Sequence, residues 1–520
     1  MNPLLPSYSF DDVLMRPRYS TITSRKQIKV ETKLKNKNNE ITLKIPIISA
    51  PMDTVTEKEM AISIALQGGL GIIHRFMEHQ KQCEQIRSVK RHLQYIFTDP
   101  ITIMDTQSLE DCMEKKKERG IKTLCVTNAK RETIGLFTNR DLIKDLEQEM
   151  SKINVTERMT PFKDLNKLFL TEEKFKRLMS NKKSNQFHEF MNEIKTMMLT
   201  YRIQKVPIYK EIIVGKEFKE HTMELLGITT WKSIQHYFYN TSSACLDEHG
   251  SLCVGAAVGI KDETTLTKVR NLVEAGADLI CVDVANGHNE RTLSMISCIR
   301  KEFPELIITG GNVVTADGVV RLARAGCNCI RVGIGNGSIC STRLETGIGF
   351  GQWSAVSECS RVIYEKNIKD VVIISDGGSL GKTGNKTKAL ACGASVIMVG
   401  RTFAGCDESP GKIISRNGKL MKYYRGMAST MASISKNERI QPEEEINRIT
   451  SSEGVDGLVD CKGLLKEQLL PIIAGIRSGM SYLGVSSLPE LHELTNNNKI
   501  EWALSTSIGL NETGIRVKTL

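Results

Sequence analysis

Eight short apolar runs punctuate this chain, and their spacing constrains its fold more than any other feature. They read IPIISAPM (45–52), LGIIHR (70–75), CVGAAVG (253–259), DLICVDVANG (278–287), LIITGGNV (306–313), CIRVGIGNG (329–337), VVIISDGG (371–378) and SVIMVGR (395–401). Most are rich in β-branched residues and end in glycine, aspartate or asparagine. Runs this continuously apolar suit parallel strands covered on both faces. With helix-length segments between the later ones, eight such units predict an α/β fold, a closed (β/α)8 TIM barrel. Active sites of that fold lie at the C-terminal strand ends. There the runs gather Asp53, Asp283–Asn286, Gly310-Gly311-Asn312, Gly335–Cys340 and Asp376–Gly378. Convergence on one face points to an enzyme.

Between the second and third runs the character changes. Residues 98–233 are richer in Lys and Glu and look internally repeated, which leaves 1–97 and 234–520 for the barrel. Each half offers an amphipathic helix, a short strand (Leu124-Cys125-Val126; Val206-Pro207-Ile208), and a strand ending Gly-Leu-Phe-Thr or Gly-Ile-Thr-Thr before a helix. This cadence resembles a tandem CBS (Bateman) module, with insertions at 163–195 and 209–222. An insertion there hangs on a barrel loop and spares the core.

The sixth run delivers RVGIGNGSICSTRLETGIG (331–349), a glycine-rich loop carrying Cys340, with Thr342 and Arg343 two and three residues on. Glycines let backbone approach a ligand closely, and a thiol reacts as thiolate in a polar or cationic setting. The other thiols are scattered among 14 cysteines with no CxxC pair, a pattern of free thiols in a reducing compartment. Cys327 and Cys329 read as alternating strand positions.

The formal charge of +11 suits an anionic ligand such as a nucleotide. Basic residues are dispersed and aromatics make up only 5%, so a nucleic-acid platform is not expected. No run is long enough for a membrane span, and MNPLLPSYSFDDV has acidic residues where a signal peptide needs an apolar core. The expected location is cytoplasmic. The terminal Leu520 is all that the end shares with a peroxisomal Ser-Lys-Leu address.

Taken together, these strings resemble the IMP dehydrogenase/GMP reductase family over nearly the whole chain. The resemblance implies that Cys340 attacks purine C2 to form a thioimidate. It implies that Asp376 takes the ribose hydroxyls while Ser338, Gly377 and Gly378 hold the phosphate, with Gly400, Arg401 and Tyr424 beside them. Gly426, Met427, Ala428, Ser452 and Gly454 would border the base. Arg75, Asp283, Val284, Ala285, Asn312 and Gly335 would face a dinucleotide, and Ser24 and Arg25 would reach its adenosine end from a neighbouring subunit. Backbone carbonyls of Gly335, Gly337 and Cys340 match the family's K+ site. A homotetramer or octamer is implied, with purine nucleotides on the CBS module.

The family's two branches differ around the cysteine adduct. Dehydrogenases hydrolyse it with an Arg-Tyr pair on a flap, yet Gly426 to Leu470 contains no tyrosine, and the nearest candidate reads Glu438-Arg439-Ile440-Gln441. Reductases expel ammonia with a threonine–glutamate pair, matched by Thr342 and Glu453. A carboxylate beside a hydroxyl can relay a proton to a poor leaving group. The expected activity is therefore reductive deamination of GMP to IMP and ammonia with NADPH. NAD-dependent oxidation of IMP to XMP and a non-catalytic nucleotide sensor are the alternatives. Three positions depart from the family's habit, namely Gly351 for a proline, Arg401 for a small residue and Thr450 for an arginine.

Overall fold

A computed structural model describes residues 4–93, 95–119, 121–142, 150–180, 182, 184–214, 218–239, 243–260, 264–429 and 453–506. The chain divides into two compact units. One comprises residues 1–92, 243–247 and 252–520, and the other 93–242 and 248–251. The edges implied by sequence spacing, 97/98 and 233/234, thus differ from the observed ones by several residues.

The first unit is the expected closed parallel barrel. Its strands are β1 (Ile47–Ser49), β2 (Leu70–Ile73), β3 (Val254–Val258), β4 (Leu279–Asp283), β5 (Ile307–Val313), β6 (Cys329–Val332), β7 (Val372–Asp376) and β8 (Val396–Val399). They pair in sequence order, and β8 returns to β1 through Ile397 opposite Ile47. Helices α1 (Lys58–Leu66), α2 (His79–Arg91), α3 (Thr264–Glu274), α4 (Glu290–Glu302), α5 (Ala316–Ala325), α6 (Gln352–Glu365) and α7 (Thr383–Ala391) follow successive strands. The eighth helix comes late. It is α8 (Leu465–Tyr482), which packs on both α7 and α1 and so closes the outer ring.

Side chains two apart on a strand share a face, and one set fills the lumen. Ile48, Leu70, Ile72, Ala257, Leu279, Cys281, Ile307, Cys329, Ile374, Val396 and Met398 form a single buried cluster. Leu34, Ile41 and Leu43, from the hairpin Thr32–Asn36/Asn39–Leu43, join it. Burying one Leu or Ile contributes roughly 1.5–3 kcal/mol. Cys281 and Cys329 are small hydrophobes in this packing, and burial pushes both thiols up to about 12.

The second unit is a duplicated pattern. Thr102–Met104 runs parallel to Thr123–Thr127, which pairs antiparallel with Thr133–Thr138. Leu168–Leu170, Lys205–Val214 and Phe218–Thr230 repeat that order. The stretch read as an insertion at 209–222 forms the outer part of one long hairpin, whose ladder continues, with register shifts at Tyr209, to Val214 opposite Phe218. Among the described residues, no helix is long and apolar enough to cross a membrane.

Candidate functional site

A cavity of about 360 Å³ opens at the C-terminal ends of the barrel strands. Its floor is the topmost layer of the lumen, where the alternation that buries Cys281, Cys329 and Ile374 next presents Asp283, Arg331 and Asp376. Arg331 is 7% exposed. Its Nη1 donates to Asp283 Oδ1 at 2.6 Å, and its Nη2 and Nε donate to Asp376 Oδ2 at 2.8 and 3.2 Å. Asn312 Nδ2 adds a donor to the same Oδ2 at 2.9 Å. Arg75 Nε stands 3.5 Å from Asp283 Oδ2. Burial opposes the charge on Asp283, but the Arg331 and Arg75 guanidiniums outweigh it and hold the carboxyl below its ordinary range. Asp283 is therefore ionised at neutral pH, and the floor offers acceptors to hydroxyls or amides.

One wall is the loop after β6. Gly335 turns it with φ +72°, a conformation that glycine adopts freely. Cys340 Sγ lies 3.1 Å from Thr342 Oγ1, which donates to Glu453 Oε2 at 2.8 Å. Thr342 therefore accepts from the thiol while donating to the carboxylate, a ready path for one proton. Residues 111 apart in sequence meet because the backbone laces them together. Ser341 N–H donates to the Glu453 carbonyl at 3.0 Å, Val455 N–H to that of Ile339 at 3.0 Å, and Gly426 N–H to that of Val455 at 3.0 Å.

The opposite wall is polar and glycine-lined. Gly377, Gly378, Gly400, Arg401 and Ser338 border the cavity, with Tyr424 beside them. Burial pushes the Tyr424 phenol up to about 12, so it stays a neutral donor, and Ser338 hydrogen-bonds it. The strand Lys419–Arg425 carrying Tyr424 is pinned by Arg425, whose Nε donates to Asp53 Oδ2 at 3.0 Å. Asp53 thus anchors the site from beneath and does not border the cavity.

Most residues implied by the sequence reach this cavity: Cys340, Thr342 and Glu453; Gly426, Met427 and Ala428; Arg75, Asp283, Val284, Ala285, Asn312, Gly335 and Gly337. Gly454 stands behind the wall, bridged to Cys340 and Ser429. Ser24 and Arg25 do not border the cavity of their own chain. Ser24 instead caps the short turn Arg25–Gln27. Ser452, Thr450 and Glu438–Gln441 lie outside the described residues.

Sequence reasoning missed three side chains. Arg331 was visible as the one charge in the run CIRVGIGNG. Asn336 and Gln352 had no such signal. Asn336 Nδ2 donates to the Gln352 side-chain carbonyl and to the Asp376 carbonyl at 2.9 Å, and Gln352 Nε2 to the Val332 carbonyl at 2.7 Å. Gly351 has its reason too. Its N–H donates to Ser7 Oγ at 2.7 Å, which proline cannot do, and a Cβ there would meet the Tyr8 carbonyl at 2.3 Å.

The IMP dehydrogenase / GMP reductase domain matches residues 7–515. An inosine-5'-monophosphate dehydrogenase of Nitrosopumilus maritimus is 37% identical over 491 residues, 93% of this chain and 94% of the relative. One from Aquifex aeolicus is 37% identical over 495 residues, covering 95% and 93%. Among solved structures, a cysteine-to-alanine variant of Trypanosoma brucei GMP reductase in complex with guanosine 5'-monophosphate superposes with a TM-score of 0.82. It is 32% identical over 99% of both chains. The same enzyme with guanosine 5'-triphosphate gives a TM-score of 0.73 and 29% identity, over 97% of this chain and 99% of that one.

Proposed function

This chain belongs to the IMP dehydrogenase/GMP reductase family of oxidoreductases, and within it we propose that it reductively deaminates GMP to IMP and ammonia. The observation that carries this reading is the hydrogen-bonded run Cys340–Thr342–Glu453, joined to the lack of any tyrosine from Gly426 to Leu470. The thiol proton of Cys340 passes through Thr342 to Glu453 as sulfur attacks C2. Glu453 then returns that proton through Thr342 to the 2-amino nitrogen, the C2–N bond breaks, and ammonia leaves a thioimidate. NADPH, when bound, supplies the hydride that replaces sulfur at C2 and frees the cysteine. Asp376 accepts from the ribose hydroxyls, and Ser338, Tyr424, Gly377 and Gly378 donate to the phosphate.

Arg75, Asp283, Val284, Ala285 and Asn312 would hold the nicotinamide end of the dinucleotide. The acceptors and donors along that side suit a carboxamide. Ser24 and Arg25 would serve the adenosine end of a neighbouring subunit's dinucleotide, where a guanidinium suits a 2′-phosphate. The carbonyls of Gly335, Gly337 and Cys340 would hold K+. The Gly337 carbonyl accepts the Cys340 N–H at 3.1 Å, which leaves it a second lone pair for an ion. The duplicated second unit would be a tandem CBS module taking purine nucleotides, a reading in keeping with the GTP complex of the T. brucei enzyme. Activity and oligomer size unchanged by every purine nucleotide would exclude that role.

Dehydrogenation of IMP is the second reading, favoured by the names of the curated relatives. Nicotinamide absorbance separates the two. NADPH oxidation that requires GMP, and falls at least about a thousandfold in Cys340→Ala with GMP still bound, is the expected result. NAD reduction driven by IMP would overturn it. Nucleotide binding without either reaction would favour a sensor.

A further inference from the structure

Arg331 holds two carboxylates that face different parts of the cavity, and the geometry of its contacts is uneven. Both donors that reach Asp376 converge on Oδ2, where Asn312 also donates, so Oδ1 has no hydrogen-bond donor among the described residues. The remaining arm takes Asp283 Oδ1, and Asp283 Oδ2 is left to Arg75. One buried guanidinium thereby decides which oxygen of Asp376 stays open to a ligand diol, and it also fixes the orientation of Asp283.

We propose that Arg331 is a positioning residue that couples the nucleotide subsite at Asp376 to the dinucleotide subsite at Asp283, so that filling one tightens the other. The physical basis is shared ordering. A ligand that engages Asp376 immobilises that carboxylate and, through it, the guanidinium. The second ligand then meets an Asp283 already held in place and loses less conformational freedom on binding. Such coupling is reciprocal, and values of about 5- to 150-fold are typical. Which nucleotide and dinucleotide are involved rests on the reductase reading; the coupling itself does not.

Titration calorimetry on the full-length protein tests this with non-reacting pairs, GMP with NADP+ and IMP with NADH. In the wild type, saturating dinucleotide should lower the Kd of its nucleotide by about fivefold or more. Arg331→Lys keeps the charge but loses the fork geometry, and should bring that ratio to about one. Asp283→Asn leaves only a neutral acceptor on one arm and removes the charge that orders it, while Arg331 still holds Asp376. At dinucleotide concentrations that still saturate the variant, it should also abolish the ratio while changing the affinity for GMP alone by less than about twofold, a split that neither general loosening of the site nor loss of dinucleotide binding would produce. It carries the test should Arg331→Lys fail to fold. A wild-type ratio near one with both pairs, or a wild-type ratio kept in a folded Arg331→Lys or Asp283→Asn protein, overturns the proposal. Coupling seen only with IMP and NADH, and lost in the variants, supports it while overturning the reductase reading. A wild type that binds neither nucleotide overturns both.

Discussion

An aspartate stands at each end of strand β4, with side chains 15% and 14% exposed, and the two live under opposite electrostatics. Asp278, just before the strand, is enclosed. Lys90 Nζ donates to both its oxygens at 2.7 Å and to Asp247 Oδ2 at 2.8 Å, and Val254 N–H adds a bond at 2.8 Å. Burial pushes the Asp278 carboxyl up to about 6, with Lys90 pulling the other way. Asp283, at the far end, sits between two guanidiniums at the rim of a cavity and is held below its usual range despite the burial that opposes it. The enclosed cluster has its partners within the fold and ties α2 to the barrel. The open one keeps acceptor capacity for something from outside. Burial alone does not separate a structural charge from a functional one; unused hydrogen-bonding capacity does.

That contrast can be broken by experiment. The largest effect belongs to the open end. Glu453→Gln leaves a group that can neither take nor return the Cys340 proton, so kcat should fall about 10²- to 10⁴-fold, with the urea midpoint unchanged. Steady-state kinetics beside denaturant curves read this directly, and an equal loss of stability would make Glu453 a structural brace. At the enclosed end the pattern reverses. Lys90→Met strands buried carboxylates and should cost about 3–5 kcal/mol of stability with little change in KM. A large change in KM at an intact urea midpoint would refute the division.

The smallest effect is a pH slope. Asp278 has a folded-state pKa of about 6 against an ordinary 3.8. A raised value means that its contribution is complete below 3.8 and is lost as pH rises through 6, which amounts to about 2–3 kcal/mol at 1.36 kcal/mol per unit. Asp283 is depressed, so its contribution is present above 3.8 and is lost only as pH falls below that. Urea unfolding between pH 4 and 7 should show that slope in the wild type and in Asp283→Asn, and a flatter one in Asp278→Asn. Equal slopes in all three would mean that Asp278 stays ionised throughout.

The sequence by itself determined the barrel. Eight β-branched runs at helix-length spacing suit parallel strands covered on both faces, and eight strand–helix units are the number that closes into this barrel. It also marked the glycine-rich loop that borders the cavity, because glycines around a lone cysteine are a local signal. The GIGNGSICSTR and SDGG strings likewise pointed to the cavity residues before any geometry was known. Only the tertiary structure decided the rest. Glu453 meets Thr342 across 111 residues through backbone bonds that no local pattern encodes. Arg331 reads as one more charge until the lumen sets it between Asp283 and Asp376. Asn336 and Gln352 matter through the carbonyls they reach, and Gly351 through the Tyr8 carbonyl beside it. Periodicity is written residue by residue along the chain; the pairing of polar groups is a property of space, and it exists only after the barrel has closed.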